Sequence, residues 1–287
     1  MSEKDETNYE LKADAKNLVA APELDYRAPE PNKKDYRIAL IGCGGIAKTH
    51  LEAYRSRSWK VVALCDIKKE AAKALREEFY PDAAIFESYA EMLESDEIDV
   101  VDIALHPKFR IEAIEAALEA GKHVLSQKPF VLDLKEGARL ARLADEKGLK
   151  LAVNQNGRWA PYVSYALRAI EKGLLGDVQS VSIALNWDHS WCKGTPFEEI
   201  HHLILYDFAI HWFDMTQQFF QGNTACDVFA RVSRAPGQDM KPPLIAAATL
   251  QYESGMASLL FDGHRKGESR EALSICGSRG SYQASGS

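Results

Sequence analysis

Asp207 and His211 stand four residues apart in a stretch, about 203–220, that reads as one long helix. That spacing puts both side chains on one helix face. A carboxylate so placed orients an imidazole and stabilises its protonated form, and histidine is the side chain best suited to moving a proton near neutral pH. His201, His202, Asp207 and His211 are ligand types for a divalent ion, but adjacent histidines usually point apart, and no metal is expected.

A second constellation surrounds the glycines. Arg37-Ile-Ala-Leu-Ile41 is an apolar strand that runs into Gly42-Cys43-Gly44-Gly45-Ile46-Ala47, and a helix is predicted over 46–57. The segment fits G-x-G-x-x-G/A in its proper context. Gly42 allows a tight turn, Gly44 lets the backbone approach a pyrophosphate, and Ala47 is small enough for close helix–strand packing. Gly42, Gly44, Gly45 and Ile46 are therefore the expected dinucleotide contacts. Asp66 ends the next strand, about 20 residues further on, where an acid binds a ribose hydroxyl and repels a 2′-phosphate. This favours NAD over NADP, although Lys68 and Lys69 lie close by. His106 follows a later strand, at the end of parallel strands where ligands sit, and is a further expected cofactor contact.

These side chains need a scaffold. Strands at 37–41, 60–65, 100–104, 123–126 and 149–153 alternate with helices at 46–57, 69–79, 109–120 and 133–147, which predicts a parallel sheet covered on both faces. Ser88-Tyr-Ala-Glu91 has the form of a capping box. After about residue 154 the rhythm changes. A helix at 161–172, a strand at 178–185 and the long helix at 203–220 precede strand-like runs at 227–233, 245–252, 256–261 and 272–276. Strands without intervening helices predict a second, α+β domain with an open, mostly antiparallel sheet. The fold class is thus α/β: a doubly wound Rossmann domain over 36–153 and an α+β domain over 154–287, preceded by a Pro-containing arm over 1–35. The arm reads as a disordered tail or as a segment lying on a neighbouring subunit.

The ordered set Gly42-Cys-Gly-Gly-Ile-Ala, Ser126-Gln-Lys-Pro129, Asn154-Gln-Asn-Gly-Arg-Trp-Ala-Pro161 and Asp207-Phe-Ala-Ile-His-Trp-Phe-Asp214 resembles the Gfo/Idh/MocA family, over about residues 36–282. The resemblance implies an oxidoreductase moving a hydride between NAD and a CH–OH group of a sugar, polyol or inositol-like substrate. Lys128, Asp207 and His211 are the implied catalytic and substrate-binding residues, with Lys128 a cation able to stabilise charge developing on an oxygen and the proton acceptor left open between Lys128 and His211. Gln127 and Lys128 are implied to lie near the nicotinamide, Arg158 to touch the cofactor and Asn156 the substrate. The family's Glu-Lys-Pro is Gln127-Lys128-Pro129 here, which removes a carboxylate beside Lys128. An NAD-dependent glycosidase using transient oxidation and a nonenzymatic ligand sensor are the alternatives on the same fold. Trp159, Trp187, Trp191 and Trp212 are candidates for stacking on a sugar ring or for ordinary core packing. The resemblance also implies a homo-oligomer paired through the C-terminal sheet.

Composition bounds the rest. The 287 residues carry a formal net charge of -7, which argues against a nucleic-acid partner. Five scattered cysteines without a CxxC pair point to a reducing compartment. No signal sequence or membrane span is apparent, so a cytoplasmic protein is expected. Leu273 to Ser281 resembles a strand and turn that lie well before the end in many relatives, which predicts either a second sheet shorter than usual or a truncated chain.

Overall fold

The computed structural model describes residues 20–286. The first half alternates strand and helix: β1 (Arg37–Ile41), α1 (Gly45–Ser56), β2 (Lys60–Cys65), α2 (Lys69–Phe79), β3 (Ala84–Phe86), α3 (Tyr89–Leu93), β4 (Val100–Ile103), α4 (Arg110–Glu119), β5 (His123–Ser126), α5 (Leu134–Glu146) and β6 (Leu151–Val153). All six strands are parallel, in the order β3-β2-β1-β4-β5-β6. Ile38 and Leu40 of β1 join a core with Ala47 and Leu51 of α1. Ala39 and Ile41 join a second core with Ala113, Ile114 and Ala117 of α4. A strand covered on both faces is apolar at successive positions, which is why β1 reads as an unbroken apolar run. The strand order reverses between β1 and β4, where open α/β sheets form their ligand crevice.

The second half contains α6 (Pro161–Glu171), β7 (Val178–Asn186), α7 (Ile210–Phe219), β8 (Asp227–Ser233), β9 (Ile245–Tyr252), β10 (Gly255–Asp262), β11 (Arg270–Gly277) and β12 (Ser281–Gly286). They form one sheet, β12-β11-β7-β10-β9-β8, antiparallel except for the β7–β10 pair. Alternate residues point inward. Val181, Ile183, Leu259, Phe261 and Ile275 pack with Val163 and Ala166 of α6 and with Trp212, Met215 and Phe219 of α7. Complete burial of a side chain such as Phe219 contributes about 1.5–3 kcal/mol. The opposite face of this sheet carries no helix of the described chain.

Several elements depart from the sequence reading. β3 is three residues long and β12 reads Ser-Tyr-Gln-Ala-Ser-Gly. β3 is too short to show a pattern, and β12 alternates only through Tyr282 and Ala284, which pack against the core; pairing with a neighbouring strand makes each a strand. Ser88 precedes α3 but its side chain makes no capping hydrogen bond. The long helix at 203–220 is broken: Ile204–Phe208 is a π turn, and α7 begins only at Ile210. Residues 20–35 form neither helix nor strand. Their first part lies on this chain's own α6, where Ser164 Oγ donates to Tyr26 O at 2.5 Å and Tyr165 Oη donates to Pro22 O at 2.7 Å, and Glu30 meets Arg57 just after α1. The earlier part of the expected arm lies outside the described residues. Among the described residues, no helix is long and apolar enough to cross a membrane.

An aromatic wedge fills the junction between the loop after β7 and the π turn. Trp187 stacks on Phe208 with ring centres 4.1 Å apart, and the fully buried His189 meets Phe208 edge-on. Trp187 Nε1 donates to His189 Nδ1 at 2.7 Å. Burial, reinforced by the Lys128 cation, pushes the imidazoles of His189 and His211 down to about 4 from an ordinary 6.5. Between those values the unfolded chain binds more protons than the folded one. Stability therefore rises with pH across the window and is lost on acidification. Each histidine contributes a slope approaching ~1.4 kcal/mol per pH unit in mid-window. Urea midpoints should fall from pH 7 to pH 4.5, and His189→Phe should flatten the fall. A midpoint that ignores pH over that range would contradict this account of the two histidines.

Candidate active site

The first corner is built by β1, α1 and β2. Gly42 adopts φ +94°, and a Cβ there would come within 3.0 Å of Ala104 O. Its N–H donates to Cys65 O at 2.8 Å, which seats the turn on β2. Gly44 caps α1 without any side-chain hydrogen bond, and a Cβ at Gly44 or Gly45 would meet nothing within 4 Å. Open space thus lies over bare backbone at a helix N-terminus, the arrangement that receives a phosphate. Asp66 accepts the Cys43 N–H on Oδ2 and the Lys68 N–H on Oδ1, both at 2.8 Å. These bonds fix the carboxylate at the rim of the corner, and each oxygen keeps a lone pair for a ribose hydroxyl. The corner fits a dinucleotide.

A cavity of about 570 Å³ extends from this corner to the second half of the chain, with Gly44, Gly45, Ile46, His106, Gln127, Lys128, Asp207 and His211 among its lining residues. At its centre Lys128 Nζ donates to Asp207 O at 2.9 Å and to Asp207 Oδ2 at 3.1 Å. The pair is largely buried, with side-chain exposures of 20% and 10%. Losing either partner would leave the other charge uncompensated.

The geometry corrects the expected Asp207–His211 pair. Asp207 gives its carboxylate to Lys128, not to His211. The cause is the π turn, in which Ala209 N–H donates to Ile204 O at 2.7 Å, one residue further back than in an α-helix. The four-residue spacing therefore no longer stacks the two side chains, and the Asp207 carbonyl is free for Lys128. π turns of this kind are frequent at functional sites. His211 Nδ1 is buried without a hydrogen-bond partner, which leaves Nε2 as the nitrogen facing the cavity. Asp214, not Asp207, is the carboxylate that favours its charged form, and burial and Lys128 outweigh it.

Other expected contacts divide. His106 lines the cavity against Phe197, with its Nδ1 accepting from Lys108 N and its Nε2 buried and unpartnered. Burial holds its charged form down. Gln127 reaches the cavity wall, but its amide turns away: Oε1 accepts the Lys128 N–H at 2.7 Å, and Nε2 meets His50 Nε2 at 3.0 Å. Arg158 is not among the cavity residues. It clasps Asp214 through two 2.5 Å bonds, and Asn156 lies in the same turn away from the lining. Of the tryptophans only Trp191 lines the cavity. Trp187 and Trp212 belong to the core, and Trp159 is exposed elsewhere.

Sequence reasoning missed Arg110, Phe197, Phe208 and His50. Arg110 is buried on the cavity wall, where its guanidinium donates to Leu105 O, Gln127 O and Pro129 O. It ties the loop after β4 to the Lys128 turn. Burial lowers it to about 10, and no carboxylate offsets that by direct contact. An arginine at the start of an amphipathic helix gives no sign of this in sequence. Among the described residues, no cluster of three or more His, Cys, Asp or Glu is placed to hold a metal.

Comparisons with known proteins agree with this fold. Residues 36–155 match the model of an oxidoreductase family with an NAD-binding Rossmann fold, and residues 163–283 match the GFO/IDH/MocA C-terminal domain. The D-apiose dehydrogenase of Paraburkholderia graminis is 29% identical over 242 residues, 83% of this chain and 63% of that protein. The chain spans less than two thirds of the length of the first curated relatives it matches. An oxidoreductase from Agrobacterium radiobacter, solved with NAD+, L-tartaric acid and magnesium, shares the fold at a TM-score of 0.79 and 21% identity, over 87% of this chain and 74% of its own. The scyllo-inositol dehydrogenase of Lactobacillus casei, solved with NAD(H) and scyllo-inositol, shares it at 0.78 and 22%, over 88% and 76%. With both halves matched in order and an NAD-binding corner opening onto the Lys128 cavity, the chain belongs to the Gfo/Idh/MocA oxidoreductase family.

Proposed function

We propose that the protein is a dehydrogenase transferring a hydride between NAD and a CH–OH group of a sugar, polyol or inositol-like substrate. One observation carries the reading: a single cavity is lined by the glycine corner and by Lys128, Asp207 and His211. When bound, NAD supplies the hydride acceptor. The chain's own residues must then bind the hydroxyl and take its proton. Lys128 spends two of its three N–H donors on Asp207. The third is left for the substrate oxygen, where the ammonium stabilises negative charge as the proton leaves. His211, held neutral by burial, accepts that proton at Nε2 and keeps its own on Nδ1. His106 lines the same cavity, which supports a contact with the cofactor there. Asp66 favours NAD over NADP, because a 2′-phosphate would face its carboxylate. The sugar and inositol names of the relatives support the substrate class.

Two coarser features complete the reading. The five free cysteines, three of them buried, fit a cytoplasmic setting. The outer face of the second sheet fits a homo-oligomer contact. Phe229, Thr249, Ser258, Ser182, Ser274 and Gln283 form one cross-strand row, and Arg231, Ala247, Leu260, Ala184, Ala272 and Ser285 the next. Small side chains dominate, with Phe229 and Leu260 at least half exposed. Such a flat face suits a second copy of itself.

A panel of polyols, inositols and aldoses should include substrates that reduce NAD, followed by NADH absorbance. Lys128→Ala and His211→Ala should each lose roughly 100-fold or more in kcat/KM. The acid limb of the kcat/KM profile should fall near pH 4 and not near 6.5, since only neutral His211 accepts a proton. Full turnover in both variants would refute the assignment, and release of a free sugar from glycosides without net NADH would favour the glycosidase chemistry. Sedimentation should show an oligomer at micromolar concentration, which Leu260→Arg converts to monomer. A monomeric wild type would refute the interface.

A further inference from the structure

A buried polar chain behind the cavity remains outside the proposed chemistry. His50 lies in the second turn of α1, the helix that begins at the glycine corner, and is 7% exposed. Its Nδ1 lies 2.7 Å from Oδ2 of Asp102 on β4, a residue with no exposure. Tyr54 Oη donates to the same oxygen at 2.8 Å. On the other side, His50 Nε2 lies 3.0 Å from Gln127 Nε2 and 3.3 Å from Asn154 Nδ2. One imidazole thus joins α1, β4, the end of β5 and the segment after β6.

The hydrogen bonds fix the protons. Gln127 Oε1 is committed to the Lys128 N–H at 2.7 Å, so the amide NH₂ must face His50. An NH₂ group only donates, so His50 Nε2 must accept. The ring proton then sits on Nδ1 and points at Asp102. His50 is a neutral imidazole with each nitrogen in one defined role, and Gln127 is the residue that imposes it. A glutamine is required for this polarity. A glutamate at 127 would turn a carboxylate oxygen toward the Nε2 lone pair, and the two acceptors would repel unless Nε2 took up a proton.

We propose that His50 is a positioning residue for Lys128. It holds the Gln127 amide, the amide holds the Lys128 backbone N–H, and that turn aims Nζ at Asp207 and the substrate oxygen. Because His50 rides on α1, the same clamp keeps the pyrophosphate corner and the Lys128 cation in fixed relation. A displacement of about 1 Å in such a group costs on the order of 100-fold in rate.

Two arms test this. The first is ¹⁵N NMR of the histidine rings at pH 7 in protein without added cofactor. Wild-type His50 should show an unprotonated Nε2 and a protonated Nδ1. Gln127→Glu should protonate both nitrogens. The second arm is kinetic and rests on the dehydrogenase reading. His50→Ala and Gln127→Ala should each lower kcat roughly 10- to 100-fold with KM for NAD nearly unchanged. The double variant should be no worse than the worse single, because both break one linkage. His50→Gln, which retains a donor and an acceptor, should recover part of the loss. Should His50→Ala fail to fold, the wild-type and Gln127→Glu spectra decide alone. Additive kinetic losses, or a protonated Nε2 in the wild type, or an unprotonated Nε2 in Gln127→Glu, would overturn the proposal. Expected spectra with no dehydrogenase activity on any substrate would count against the reaction assigned above and leave the clamp standing.

Discussion

The ion pair between Lys128 and Asp207 is the constraint on which the site depends. Lys128 belongs to the turn after β5 of the first sheet, and Asp207 to a π turn packed under the second. The two halves of the chain therefore meet in a charge–charge contact with little access to water. A buried pair of this kind adds little to stability compared with a hydrophobic substitute, but it is costly to break. Its value is geometric. It fixes where a cation stands relative to the glycine corner, and it keeps one N–H of the ammonium for a ligand.

The surrounding structure serves that placement. Arg110 ties Leu105, Gln127 and Pro129 together by their carbonyls, and His50 secures the Gln127 amide from behind. Trp187 and Phe208 wedge the π turn against β7. Arg158, expected at the cofactor, instead anchors α7 through Asp214, the helix that carries His211. His106 and His211 are the reverse case: Nε2 of the first and Nδ1 of the second are buried without a hydrogen-bond partner, although buried polar atoms are normally satisfied.

Much of the first half was legible in the sequence because its signals are local. Apolar runs that end in glycine, an acid one strand later and helices at regular intervals specify a doubly wound sheet. The glycine corner and Asp66 followed from that register, and Lys128 from the family resemblance. The second sheet was legible as strands without helices, but its parallel β7–β10 pair and the strand β12 were not. Pairing partners far apart in sequence decide them. The Asp207–His211 relation failed for another reason. Periodicity assumes a uniform α-helix, and one extra residue in the turn rotates every later side chain out of register. His50 and Arg110 were invisible because nothing in their spacing shows that they are buried. Their roles come from the carbonyls, amide and carboxylate that other strands bring to them.

The central claim is that the glycine corner and the Lys128–Asp207 pair serve one ligand in one cavity. The most direct measurement is a crystal structure of the protein soaked with NAD. The account predicts the pyrophosphate over the backbone of Gly44 and Gly45, the adenosine ribose on Asp66 and the nicotinamide in the cavity beside Lys128 and His211. A dinucleotide seated elsewhere, or a nicotinamide turned away from Lys128, would contradict it.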